Sequence, residues 1–151
     1  MKVLMVCLGN ICRSPMAEGI MRQKLEKHKI KGLVDSAGTA NYHVGENPDT
    51  RAVEKAKKYG INISQLVGRQ FSVNDFDNFD IIYAMDTSNF QNITRLARHD
   101  ADKAKVTLIL DELFPGQGMS VPDPYYGGDS GFENVYSLLD QACEEILKKL
   151  K

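Results

Sequence analysis

The sequence is short of cysteine, of net charge and of long apolar runs, and each shortage removes a class of protein. Three cysteines in 151 residues are too few, and odd in number, for the disulfide framework of a small secreted domain; they point to a reducing compartment, the cytoplasm. The 19 basic and 20 acidic residues leave a formal charge of -1. No global field therefore draws the chain to nucleic acid or to an anionic membrane, and any anion site has to be local. The apolar start, Val3 to Leu8, is too short for the h-region of a signal peptide and has no small-residue cleavage site behind it, and no window is long enough for a membrane span. There is no internal repeat, no low-complexity stretch and no Pro/Gly/Ser linker to divide the chain. What remains, 42% hydrophobic and 26% charged, is the composition of an ordinary globular protein, and one domain over 1–151 is expected.

Apolar runs alternate with amphipathic stretches. Lys2 to Cys7 is nearly unbroken apolar sequence followed by Gly9-Asn10, the pattern of a strand buried on both faces. Ser14-Pro15 reads as a helix start, serine as N-cap and proline at the first helical position, with an apolar stripe of Met16, Ala17, Ile20, Met21 and Leu25 running to about His28. Leu33-Val34 is a short strand ending in a small-residue loop, Ser36 to Thr39. Asn47-Pro48-Asp49 opens a helix that Gly60 closes. Phe79 to Met85 is the next strand, Asp86 to Ser88 can cap the helix after it, and Val106 to Leu110 is a further strand. Phe132 to Leu150 has helical spacing throughout. The class is α/β: a three-layer sandwich with a parallel sheet of about four strands, helices on both faces and right-handed crossovers. Ligands of such sheets bind beyond the carboxyl ends of the strands, so the chemistry belongs in the loops there.

The first of those loops is the informative one. Cys7, Leu8, Gly9, Asn10, Ile11, Cys12, Arg13 and Ser14 join a strand to a helix N-terminus, where backbone amides can converge on an anion. Gly9 and Asn10 are the residue types that most readily take positive φ, which a tight loop with inward amides requires. Cys7 lies at the floor of such a cradle, and converging amides, the helix dipole and Arg13 all favour its thiolate. Arg13 offers a planar fork for two phosphoryl oxygens, and Ser14 can donate to the sulfur. A Walker loop needs a lysine before its Ser/Thr and a longer glycine spacing. A zinc site needs closer ligands than Cys7 and Cys12, and His28, His43 and His99 fall in unrelated segments.

Val6 to Pro15 (VCLGNICRSP) resembles the signature of the low-molecular-weight protein tyrosine phosphatases. The similarity continues through Ser36-Ala37-Gly38-Thr39, Val44-Gly45, Pro48-Asp49, Ala84-Met85-Asp86 and Val121 to Gly127 (VPDPYYG), in the family's order and over essentially the whole chain. The resemblance implies a flavodoxin-like, phosphotyrosine phosphatase I-like fold. It implies hydrolysis of phosphotyrosine in protein substrates and of small aryl phosphates, with no metal and no cofactor. Cys7 would be the nucleophile, Arg13 the phosphate clamp and Asp123 the general acid and then base. Leu8 to Cys12 with Ser14 would bind the phosphoryl group. Tyr42, Tyr125 and Tyr126 would wall the cleft, and aromatic walls over a deep cradle reward an aryl ester and leave phosphoserine too short to reach Cys7. Asn10, in a left-handed conformation, and Ser36 would hold the loop open. A reversible Cys7-Cys12 disulfide would protect the nucleophile.

On residue type alone, Asp123 between Pro122 and Pro124 also reads as a plain turn, and Asp86 as a helix cap or loop support. Where the family often has a histidine before Ala-Arg-Gln, this chain has Gln65-Leu66-Val67 before Gly68-Arg69-Gln70, a departure in the expected support of the loop. Two other functions fit the loop. An arsenate reductase of the same fold needs further cysteines near the middle of the chain, and Thr87 to Phe90 offers none. A non-catalytic phosphate-binding module would need neither Cys7 nor Asp123. If Asp123 acts protonated and Cys7 ionised, the rate favours mildly acidic pH.

Overall fold

A computed structural model describes residues 1–151, apart from the side chain of Tyr126. The first strand, β1 (Lys2–Cys7), shows in miniature how the layers form. Successive side chains of a strand point to opposite faces. Val3, Met5 and Cys7 enter one buried cluster and Leu4 and Val6 another. The first cluster is completed by α1 (Arg13–Lys27), α2 (Thr50–Lys58) and α6 (Gly128–Leu150). The second is completed by Phe76 of α3 (Asn74–Asn78) and Ile93 of α4 (Thr87–Thr94). A sheet buried on both faces explains why its strands read as continuous apolar runs.

The sheet has four strands, all parallel, in the order β2-β1-β3-β4, with β2 at Leu33–Gly38, β3 at Ile81–Ala84 and β4 at Val106–Leu108. The chain leaves β1 toward one edge, returns past it, and builds the rest on the other side. The order therefore reverses at β1 and β3, and a crevice opens beyond their carboxyl ends.

Several boundaries differ from the sequence reading. β2 runs on through Ser36, Ala37 and Gly38, because that segment pairs with Met5, Val6 and Cys7. A β-carbon at Gly38 would lie 2.8 Å from the carbonyl oxygen of Leu8, so this glycine lets the loop after β1 settle against the end of β2. β4 stops at Leu108, and Ile109–Asp111 winds into a 3₁₀ turn. α6 begins at Gly128, four residues before the expected Phe132. α3 and α5 (Asp100–Ala104), five residues each, are too short to announce themselves by periodicity. Among the described residues no helix is long and apolar enough to cross a membrane.

Candidate active site

The helix after the loop starts one residue before the expected serine. Cys12 is the N-cap of α1, its side chain makes no capping bond, and Arg13 and Ser14 already lie in the helix. The Ser14 hydroxyl is used elsewhere. Its Oγ is 3.0 Å from Cys7 Sγ and accepts from Asn10 Nδ2 at 2.8 Å. The reading of Ser14 as an N-cap is thus corrected: a tertiary partner takes the oxygen that a cap would have used.

Cys7 ends β1 and is 3% exposed. The backbone N–H of Asn10 points at its sulfur from 3.3 Å. Asn10 has φ 58°, the left-handed region that asparagine tolerates better than most residues. Gly9 does not share that conformation; its requirement is space, since a β-carbon there would lie 3.0 Å from the His43 ring. The loop is anchored from below by Thr39 N–H on the Cys7 carbonyl and Ala40 N–H on that of Leu8, each at 2.9 Å.

Asn10 is the hub of the support. Its amide nitrogen donates to Ser14 Oγ and, at 3.0 Å, to Ser36 Oγ, while its Oδ1 accepts from the Arg69 backbone at 3.1 Å. Arg69, next to the segment where the sequence departs from the family pattern, thus touches the hub through its main-chain N–H. Ser36 in turn donates to Glu18 Oε1 at 2.6 Å. Glu18 is buried and pairs with Arg22, which also donates to the Val34 carbonyl at 2.9 Å. Burial pushes the Glu18 carboxyl above the ordinary glutamate range, against the bond from Ser36 and the charge of Arg22, which hold it down.

Arg13 is 5% exposed and held at one corner. Its Nη1 donates to Asp86 Oδ2 at 2.8 Å and to the Val121 carbonyl at 3.0 Å. Among the described residues Nε and Nη2 carry no other bond, so two donors of the fork remain for an oxyanion. Asp86 is at the same time the N-cap of α4, accepting from Asn89 N–H at 2.7 Å.

Above this floor opens a cleft of about 620 Å³ lined by Cys7, Leu8, Gly9, Ile11, Cys12 and Arg13 below and by Tyr42, Asp49, Asp123 and Tyr125 around the mouth. Tyr42 and Tyr125 are 71% and 57% exposed, as rim residues rather than core. Asp123 caps the short turn Pro124–Tyr126 by accepting from Tyr125 N–H at 2.9 Å, as the turn reading expects, and it also lines the cleft. The expectation for the Tyr126 side chain lies outside the described residues.

One residue that sequence reasoning passed over, Arg51, stands behind the mouth, against Tyr125. Arg51 is gripped by Asp49 through two bonds of 3.1 Å and lies 5.0 Å from the Tyr125 ring centroid and 4.9 Å from that of Phe132. The Asp-x-Arg spacing at a helix start was the available signal. The Cys12 thiol is pushed up to about 12, by burial first and then by Asp49, Cys7 and Asp123. All three cysteines, Cys7, Cys12 and Cys143, are free thiols. Among the described residues no group of three or more His, Cys, Asp or Glu side chains is placed to hold a metal ion.

A sulfur beneath backbone and hydroxyl donors, a buried guanidinium beside it and a carboxyl at the rim can bind a phosphoryl group and exchange it between two nucleophiles. Comparison with known proteins gives that chemistry a family. Residues 2–151 match the family described as "Low molecular weight phosphotyrosine protein phosphatase". The protein of that name from Schizosaccharomyces pombe is 45% identical over 99% of this chain and 96% of its own. A crystal structure of a protein tyrosine phosphatase from Entamoeba histolytica, with Hepes in its active site, superposes with a TM-score of 0.92 at 40% identity over 99% of this chain and 96% of that one. The structure of a Drosophila arginine phosphatase also gives 0.92, at 35% identity over 100% of this chain and 98% of the other. The chain belongs to the low molecular weight phosphotyrosine protein phosphatases and is an enzyme of that class.

Proposed function

We propose that the substrate is phosphotyrosine in cytoplasmic proteins and that Cys7, Arg13 and Asp123 carry the reaction as nucleophile, clamp and acid/base. The observation that supports this most directly is the position of Cys7 Sγ at the floor of the cleft, 3.0 Å from Ser14 Oγ and 3.3 Å from Asn10 N. In the first step the thiolate attacks phosphorus, the P–O bond to the aryl group breaks, and Asp123 gives its proton to the departing oxygen. Arg13 and the loop amides hold the equatorial oxygens, whose charge develops in the transition state. In the second step the Asp123 carboxylate takes a proton from water, the water oxygen attacks phosphorus, and the S–P bond breaks to release inorganic phosphate and the thiolate.

The cleft walls favour an aryl ester. Leu8, Ile11, Tyr42 and Tyr125 present apolar or aromatic surface between the rim and the sulfur, which a tyrosine ring fills and a serine side chain does not. The decisive assay compares phosphotyrosine, phosphoserine and phosphoarginine peptides, the last because a structural neighbour is named an arginine phosphatase, with arsenate reduction measured in parallel. Turnover confined to phosphotyrosine, unaffected by EDTA, inhibited by vanadate and abolished in Cys7→Ser is the expected result. Activity surviving in Cys7→Ser overturns the reading.

A further inference from the structure

More than half of Tyr125 is open to solvent, and the residue stands in a turn of only three residues. A ring so placed loses rotamer freedom when an aryl group stacks on it, unless something already holds it still. Arg51 supplies that hold. Its guanidinium carbon lies 5.0 Å from the Tyr125 ring centroid and 4.9 Å from that of Phe132, which is fixed in the buried core. We propose that Arg51 is a positioning residue for substrate selectivity: it pins the Tyr125 ring in the cleft wall and so gives an aryl ester its advantage over phosphate alone, an inference that rests on the aryl-ester reading of the cleft.

The guanidinium acts from behind the wall. Tyr125 lines the cleft and Arg51 does not; Arg51 lines a second hollow, of about 270 Å³, shared with Lys55, Lys58 and Phe132. The plane of the fork is set by Asp49, which accepts from Nε and Nη2 at 3.1 Å each and from the Arg51 backbone N–H at 2.8 Å. Asp49 donates its own N–H to the Ile11 carbonyl at 2.8 Å, so the fork is referred to the loop that holds the phosphoryl group. Tyr125 N–H is fastened separately, to Asp123 Oδ1 at 2.9 Å. Ring and backbone of Tyr125 thus have different fixtures, and Arg51 belongs to the ring.

A lysine does not replace this fork. Its ammonium is a point charge on a flexible stem, unable to span two carboxylate oxygens while lying flat beside a ring. It does keep a positive charge opposite Asp49, so the field that an anion meets in the cleft is retained. Arg51→Lys therefore separates the hold on Tyr125 from the charge.

The probes are benzylphosphonate and inorganic phosphate, which share the loop and differ in the ring, and the quantity read is the ratio of their inhibition constants. In Arg51→Lys benzylphosphonate should weaken about threefold, the worth of a cation–aromatic contact at an exposed site, with phosphate unchanged. KM for an aryl phosphate should rise by the same factor with kcat retained. In a Tyr125→Leu background the same change should have no effect on the ratio. A wild-type ratio in Arg51→Lys, or a loss that persists without the Tyr125 ring, overturns the proposal. Should Arg51→Lys fail to fold, Arg51→Gln is read by the same ratio, since loss of the charge moves both probes together. The wild-type ratio tells the two readings apart. If wild type binds benzylphosphonate no better than phosphate, the aryl-ester reading fails and this proposal with it, while a wild-type preference that survives in Arg51→Lys removes the role of Arg51 only.

Discussion

Arg13 and Asp86 meet at 2.8 Å although they lie 73 residues apart in the chain. The pair ties the first loop of the sheet to the loop after β3, across the point where the strand order reverses. One carboxylate thus both orients the guanidinium and starts α4. Asp86→Asn separates the two tasks, because asparagine caps a helix as well as aspartate does but carries no charge. Loss of a charge-assisted bond should lower kcat/KM about 10- to 100-fold and weaken inorganic phosphate, with the melting temperature nearly unchanged. Unaltered phosphate affinity would show that Asp86 does not position Arg13.

Asp123 offers a second separation. If it protonates the leaving oxygen, Asp123→Ala should lose about 100-fold or more on phenyl phosphate and far less on an ester whose leaving group departs as a stable anion. Plotting rate against leaving-group pKa for both proteins checks this. Parallel lines would remove Asp123 from the acid role.

The Cys12 thiol, pushed up to about 12, bears on the disulfide implied by the family resemblance. After peroxide converts Cys7 to a sulfenic acid, Cys12 attacks its sulfur as thiolate, forming the S–S bond while hydroxide leaves and is protonated to water. The thiolate fraction of Cys12 grows with pH well beyond neutrality. The activity recovered by dithiothreitol should therefore rise with the pH of the peroxide treatment in wild type and not in Cys12→Ser. Equal recovery in both proteins at every pH would exclude Cys12 as the partner.

The loss of stability on acidification should depend on Asp102. Its carboxyl is held at about 2 by the hydrogen bonds from Arg98. A carboxylate held below its unfolded value contributes stability above that value, near 3.8, and loses it as pH falls toward about 2. Urea unfolding of wild type and Asp102→Asn should differ at pH 7 and converge between about pH 4 and 2. A constant difference would mean that the ion pair is not its source.

How much of this is legible in sequence follows from which groups are neighbours along the chain. Cys7, Asn10, Arg13 and Ser14 lie in one short segment, so residue type and spacing suffice to suggest an anion cradle. The layers are legible as well, because strands buried on both faces leave unbroken apolar runs. Glu18, Asp86 and Arg69 are different. Glu18 and Asp86 read locally as an ordinary helix-surface residue and a cap and Arg69 as a loop residue, and only the pairing of distant segments brings them under the loop. Ser14 follows the same rule: local preference makes it a cap, and a partner seven residues back overrides it. The end of β2 reads as loop because Ser36-Ala37-Gly38 has turn composition, while its pairing is decided by β1.

The bare start of α1 bears on how the enzyme is handled as well as on catalysis. The first N–H groups of that helix receive no acceptor from any described side chain, and an oxyanion supplies what they lack. Inorganic phosphate, the reaction's own product, therefore suits these donors and stabilises the folded chain by mass action when it binds there. Storage in phosphate, compared with chloride of the same ionic strength, would then preserve the enzyme against heat while silencing it.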